Sequence, residues 1–411
     1  MTTRESRVSP YENEGTLILS RDTETGSNFS LSVSRASCTG FASKGNLGDE
    51  ADSFQDPGIP ESLHPFIIVE HLIRRRVKII SSEDLDSEAD IGKGAFMQVR
   101  RGTLGIVDMT TVDYCDVPVA IKSVVRTSLP IYHHPQHAEQ YQRYKEAIDS
   151  ILLEIDVIAH DPLCHHRNII RLLGVFLEVN PGHVDSKGKM VILPNLVTEL
   201  AFSDLATFYE RGDYKGRESP QDLALRLMAD IADGITAIHS YGIVHADLKP
   251  ANILLFRDHK AEIIAKIGDF GIRGVGIRAE EPGGGTWRWN APEYIDQQYS
   301  RPPQHAPRDV YAFGLIIGYL ALEGCFPLRG NASEINAIKT DPSDNALSSI
   351  IDQITAKFPP VLNQVIAGLL SDTVRADWRK RVVSLEHVRE QLFSERWVFA
   401  SVFTRHAMTC L

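Results

Sequence analysis

The chain has 411 residues, 43% of them hydrophobic, and carries 43 Lys and Arg against 54 Asp and Glu, a formal net charge of -11. That length holds one large domain with tails or two to three small ones, and the acidic balance argues against a phosphate-rich partner such as nucleic acid. Five cysteines (Cys38, Cys115, Cys164, Cys325 and Cys410) lie scattered without a CxxC pair, an odd and sparse set that suggests no disulfide framework and fits a reducing compartment, cytoplasmic or nuclear.

In chain order, residues 1 to about 60 hold 16 Ser and Thr, few large apolar residues and no sustained period, the composition of a disordered tail. The N-terminus "MTTRESRVSPYENEG" has no apolar core of a signal peptide, and Ser9 precedes Pro10 as a phosphorylation candidate. Residues 61–83 form a lead-in where regularity begins, in "HPFIIVEHLIRRRVKII"; the basic run from Arg74 to Lys78 reads as a solvated helix or strand edge. From Asp84 to Val125 the pattern is strand-like. Val117, Val119 and Ile121 fall on one face of "VPVAIKSVV", and Pro118, Ala120 and Lys122 on the other.

Before that strand, "IGKGAFMQV" offers Gly92 and Gly94 for a tight turn that admits an anion, although an ordinary glycine hairpin reads the same way. Lys122 in an apolar strand is costly unless paired or at an edge. His133, His134 and His137 follow in a polar connection that reads as a solvated insert, with no Cys or acidic cluster to complete a metal site. A helical period runs from Ala138 to Ala159. It puts Glu154 on the inward stripe with Ala147, Ile151 and Ile158, where a carboxylate wants a cation, and Lys122 is the natural candidate. Strand character returns from Met190 to Leu200. From Gln221 onward helices dominate. The longest apolar run, "YAFGLIIGYLALEGCF", is broken by glycines and too short for the ~20 residues of a membrane span. A small β-rich portion with one long helix thus precedes a larger helical portion, which suggests two lobes around a cleft.

The polar loop "GIVHADLKPANILL" concentrates chemistry. Asp247 can accept a proton from a hydroxyl, Lys249 can hold a phosphate, and Asn252 can ligate a hard cation through its amide oxygen. Pro250 stops a helix across the loop. "NILLF" and "AEIIAKIGDFG" read as a strand pair that ends at Asp269, a loop carboxylate suited to Mg2+.

Together these segments resemble a eukaryotic protein kinase. The resemblance rests on "GKGAFMQV", "VAIK", Glu154, "HHRNIIRLLGV", the hinge-like "LVTEL", "HADLKPAN", "DFG", "APE", "DVYAFG" and the late Arg381, which resembles the partner of the "APE" glutamate. It implies a two-lobed α+β kinase fold over residues 84–394, with the small lobe about 84–200, the larger helical lobe about 201–394, and a C-terminal tail at 395–411. It implies ATP and Mg2+ as cofactors. Ile91, Gly92, Gly94, Val99 and Ala120 would line the nucleotide from the small lobe, with Thr198 as gatekeeper, Glu199 and Ala201 at the hinge and Leu254 below the adenine. Lys122, held by Glu154, would bind the α- and β-phosphates. Asp247 would orient and deprotonate the acceptor hydroxyl, Lys249 would stabilise the transferring phosphoryl group, and Asn252 and Asp269 would carry Mg2+. "DLKPAN" and Thr286 in "GTWRWNAPE" resemble the serine/threonine form and the tyrosine-kinase-like branch, which implies protein substrates with Ser or Thr acceptors.

Two residues depart from the pattern. Met97 stands at the third loop glycine, which implies slower nucleotide handling. Ala246 stands where an arginine commonly pairs with a phosphorylated activation loop. Residues 272–290 offer only one hydroxyl, Thr286. The expectation is a kinase that needs no activation-loop phosphate. The alternatives are a pseudokinase that binds nucleotide and partners without efficient transfer, and a small-molecule kinase, against which "APE" and "DVYAFG" argue. The sequence does not specify the oligomeric state.

Overall fold

The computed structural model describes residues 17–21, 29–33, 65–93, 97–107, 114–125, 138–184, 190–215, 219–270, 286–295, 306–355, 357–382, 384–388 and 390–392. The chain forms two units, Met1–Pro57 and Gly58–Leu411. In the first, β1 (Leu17–Arg21) and β2 (Phe29–Val33) pair antiparallel, with Leu17 opposite Val33 and Arg21 opposite Phe29. Phe29, Leu31 and Val33 alternate with Ser30 and Ser32, a short strand period inside a segment whose overall composition suggests disorder. Ser9, Cys38, the histidine-rich connection and the C-terminal tail lie outside the described residues.

The second unit opens with α1 (Pro65–Arg74) and β3 (Ile79–Ile80), then β4 (Leu85–Lys93), β5 (Met97–Val107), β6 (Tyr114–Val124), α2 (Ala138–Ile158), β7 (Leu172–Val184) and β8 (Met190–Glu199). Six strands form one sheet in the order β3-β7-β8-β6-β5-β4. The lead-in segment is part of this body. Ile68, Val69 and Leu72 of α1 are buried. Arg75 Nε (2.6 Å) and His71 Nε2 (3.0 Å) both reach Asp156 Oδ1 on α2. β3 adds a parallel strand against β7.

The alternation in β6 decides which side chains face the cleft. Val119 and Ile121 bury with Ile80, Leu104 and Val197 in a small core on one face. Ala120 and Lys122 take the opposite face, and the register sets Ala120 against Thr198 and Lys122 against Val99. On α2, Ala147, Ile148, Ile151, Ile155 and Ile158 form the buried stripe, and Glu154 is buried among them.

The larger part contains β9 (Ser203–Asp204), α3 (Leu205–Glu210), α4 (Pro220–Ser240), β10 (Ile253–Arg257), β11 (Ile263–Ile267), α5 (Ala306–Ala321), α6 (Ala332–Thr340), α7 (Asn345–Thr355) and α8 (Pro360–Thr373). Helix α5 is buried along its length, which explains the long apolar run: it is the core helix of this lobe. A Cβ on Gly314 would collide with Thr373, so glycine allows α5 and α8 to approach closely. Among the described residues no helix is long and apolar enough to cross a membrane.

Candidate active site

The site is built where α4, α5 and the β10–β11 pair converge. After α4 the chain turns at Gly242 (φ 69°) and enters the polar loop. Asp309, fully buried in the first turn of α5, fixes this loop by its backbone. Its carboxylate accepts from the amides of His245 (2.7 Å) and Ala246 (2.9 Å) and bonds His239 Nε2 at 2.9 Å. Burial alone would raise the Asp309 carboxyl, but His239 and the Ala246 amide outweigh it and hold it below the ordinary range. The two amide bonds keep Ala246 in the left-handed region, at φ 67°, a conformation that costs an L-residue about 1–2 kcal/mol. His245 accepts from the Asp247 amide at Nδ1 (3.3 Å), which leaves Nε2 to donate to the Gly268 carbonyl (3.0 Å).

Asp247 is thereby presented at the end of a rigid turn. Its Oδ1 accepts from the Thr286 amide (2.6 Å) and hydroxyl (3.0 Å). Its Oδ2 accepts from Lys249 Nζ (2.6 Å) and Asn252 Nδ2 (3.3 Å). Lys249 Nζ also donates to Thr286 Oγ1 at 2.8 Å. Asn252 Nδ2 further donates to the Asp247 carbonyl (2.9 Å), which turns the amide oxygen, not the NH2, toward an incoming cation.

Across the cleft, Lys122 Nζ lies 2.7 Å from Glu154 Oε2 and 2.5 Å from Asp269 Oδ1. Burial lowers a lysine, yet the two carboxylates overcome that and hold the Lys122 ammonium above its ordinary value. The same ammonium outweighs the burial of Asp269 and holds its carboxyl low. Asp269 is the second left-handed residue of the site, at φ 63°. Lys122 is thus a cation that an anionic ligand could meet, and Asn252 and Asp269 supply oxygens for that ligand's cation, with Asp269 paired to Lys122 here. Among the described residues no three His, Cys, Asp or Glu side chains cluster as a metal cage. One carboxylate with one amide oxygen is a donor set that fits Mg2+, which keeps ligand phosphate oxygens and waters in its shell.

The remaining expected positions fall as follows. Gly92 pairs with Val99, and Val99 with Lys122, on neighbouring strands; Ile91 is 53% exposed. Gly94 lies outside the described residues. Thr198 and Glu199 end β8, and Ala201 follows. The Glu199 carboxylate is committed to a link between the lobes, accepting from the Arg171 amide (2.8 Å) and Lys266 Nζ (2.6 Å). Leu254 is half-buried on β10, opposite Lys266. Arg381 and Glu293 form a buried bidentate pair with both N–O distances 2.8 Å. Sequence reasoning missed His239 and Lys339, whose partners are distant in sequence.

The protein kinase domain model matches residues 87–397, and the chain belongs to that family. Its small β-sheet lobe and helical large lobe are the expected two-lobed α+β kinase fold. Relatives include the Arabidopsis thaliana serine/threonine/tyrosine-protein kinase HT1, 36% identical over 28% of this chain and 29% of that protein. The Arabidopsis thaliana serine/threonine-protein kinase/endoribonuclease IRE1a is 26% identical over 67% of this chain and 32% of its own length. The dual specificity protein kinase zakA of Dictyostelium discoideum is 24% identical over 69% of this chain and 33% of its own. The chain thus spans about a third or less of the length of these relatives.

Proposed function

We propose that this protein transfers the γ-phosphate of Mg·ATP to Ser and Thr hydroxyls of protein substrates, as a member of the tyrosine-kinase-like branch. The observation that carries this reading is the Asp247 carboxylate, held by Thr286, Lys249 and Asn252 in the polar loop. Asp247 orients the acceptor hydroxyl and takes its proton, while the Lys249 ammonium offsets charge on the transferring group. Lys122, kept cationic by Glu154, grips the α- and β-phosphates. Mg2+ neutralises charge on the phosphates when bound. Thr286 on the loop, with a lysine two residues after Asp247, supports Ser/Thr over Tyr as acceptor.

Phosphorylation of the activation loop is not required on this reading. Ala246 presents only a methyl group, and the Asp309 carboxylate already does the work of fixing the loop. The Asp247–Thr286–Lys249 cluster is held by its own side-chain and amide bonds. The test is transfer of labelled γ-phosphate to dephosphorylated casein and to the protein itself, by phosphatase-treated wild type and Asp247→Asn. Transfer by the wild type alone, on Ser or Thr by phosphoamino-acid analysis, is the expected result. Nucleotide binding without transfer would support the pseudokinase reading, for which Ala246 and Met97 are the motivating departures.

A further inference from the structure

Lys339, in the last turn of α6, is 1% exposed. Among the described residues its hydrogen-bond partners are backbone carbonyls, those of Trp287 (3.3 Å), Arg288 (2.5 Å) and Asn290 (2.9 Å). An ammonium has three donors, and here each finds a carbonyl of one short turn. The Tyr311 ring lies 5.9 Å away as the other electron-rich neighbour. Burying a lysine without a carboxylate is costly, and a well-packed apolar side chain would stabilise the same spot as well or better. Simple packing therefore does not account for an amine here.

The turn that Lys339 holds is the one that touches the site. Thr286 bonds Asp247 through its amide and hydroxyl. The amides of Trp289 (2.8 Å) and Asn290 (3.2 Å) donate to the Thr286 carbonyl and close the turn. Arg288 and Trp289 also wall a cavity of about 260 Å³ whose other sides include Lys249, Pro250, Tyr319 and Phe326. That cavity is lined by Lys249, which bonds Asp247, so on the proposed role of Asp247 an acceptor polypeptide would lie along it. Helix α6 is itself anchored by a capping box, Asn331 with Glu334, so the amine projects from a fixed base.

We propose that Lys339 is a positioning residue for the phosphoryl acceptor: by holding three carbonyls it sets the Thr286–Asn290 turn, and with it the cavity wall on which the acceptor lies. This rests on the reading of Asp247 as the group that meets the acceptor hydroxyl. The nucleotide side, on β6 and α2, is not touched by Lys339.

The test uses the full chain with Lys339→Met, of similar volume but no donors, and Lys339→Arg, which restores donors. Three quantities are measured: nucleotide affinity, amide hydrogen exchange at Trp289 and Asn290, and kinetics with dephosphorylated casein. Lys339→Met is expected to raise exchange at both amides and the KM for casein by about tenfold or more, with nucleotide affinity unchanged. Lys339→Arg is expected to recover part of both effects. Unchanged exchange and KM in a folded Lys339→Met protein overturn the proposal, as does a fall in Tm with KM intact. Should Lys339→Met fail to bind nucleotide, Lys339→Gln is judged by the same criteria. Absence of transfer by the wild type refutes the role given to Asp247, while the exchange data still decide whether Lys339 holds the turn.

Discussion

Replacing Lys122 with methionine separates what the cleft cluster does for stability from what it does for chemistry. The ammonium sits between two carboxylates in unequal surroundings. The Glu154 side chain is 5% exposed and the Asp269 side chain 43% exposed. Asp269 can turn to water when the amine is lost; Glu154 cannot. The cost is therefore that of stranding one buried charge, about 3 kcal/mol, at the low end of the range for breaking a buried pair. It is pH-dependent. Burial pushes the Glu154 carboxyl up, and Lys122 is the cation that opposes this. Without Lys122 the folded state holds a proton more tightly than the unfolded state, so the stability deficit of Lys122→Met grows as pH rises above the ordinary carboxylate range. Adding Glu154→Gln removes the stranded charge, and the double variant regains most of the loss while transfer stays abolished. The assay is urea unfolding of wild type, both single variants and the double variant at two pH values, with phosphate transfer measured alongside. Additive losses in the double variant, or a deficit that shrinks as pH rises, would refute the idea that Glu154 depends on Lys122.

Ala246→Gly removes a Cβ from a left-handed residue and is expected to raise stability by up to about 1 kcal/mol in thermal unfolding, with transfer unchanged. Leu72→Ala, ahead of the matched kinase region, is expected to cost about 2–5 kcal/mol by chemical denaturation, because Leu72 is fully buried; a loss under 1 kcal/mol would mean α1 is not part of the core. Burial raises the Asp230 carboxyl to about 6, against which the Ala265 amide acts only in part. The folded state then holds the proton more tightly, so wild-type stability falls relative to Asp230→Asn as pH rises from about 4 to 6, by about 2–3 kcal/mol in parallel unfolding curves.

What was legible in the sequence is what short-range pattern encodes. Glu154 stood out because a carboxylate on the apolar stripe of a helix needs a cation, and Lys122 because an amine in an alternating strand needs an anion; the structure joins them. Asp247, Lys249 and Asn252 lie within one loop, so their spacing alone set them side by side. The strand pair Ile253–Arg257 and Ile263–Ile267 follows from two apolar runs with polar residues between. Lys339 was invisible for the opposite reason. It is an isolated lysine in a short amphipathic helix, and its partners lie about 50 residues earlier. The lead-in helix had the right period, but its membership of the core depends on Asp156 and β8, which no local pattern reveals. The paired strands Leu17–Arg21 and Phe29–Val33 were hidden because their apolar positions are few and diluted by serine.

Asp309 grips His245 and Ala246 only by their amide groups. The backbone of the loop is therefore anchored without help from the side chain at 246, and that side chain is itself buried, 3% exposed. A larger side chain at 246 would have to make its own room among Trp289, Asn290, Arg308 and Ala312, the residues that enclose the methyl group here.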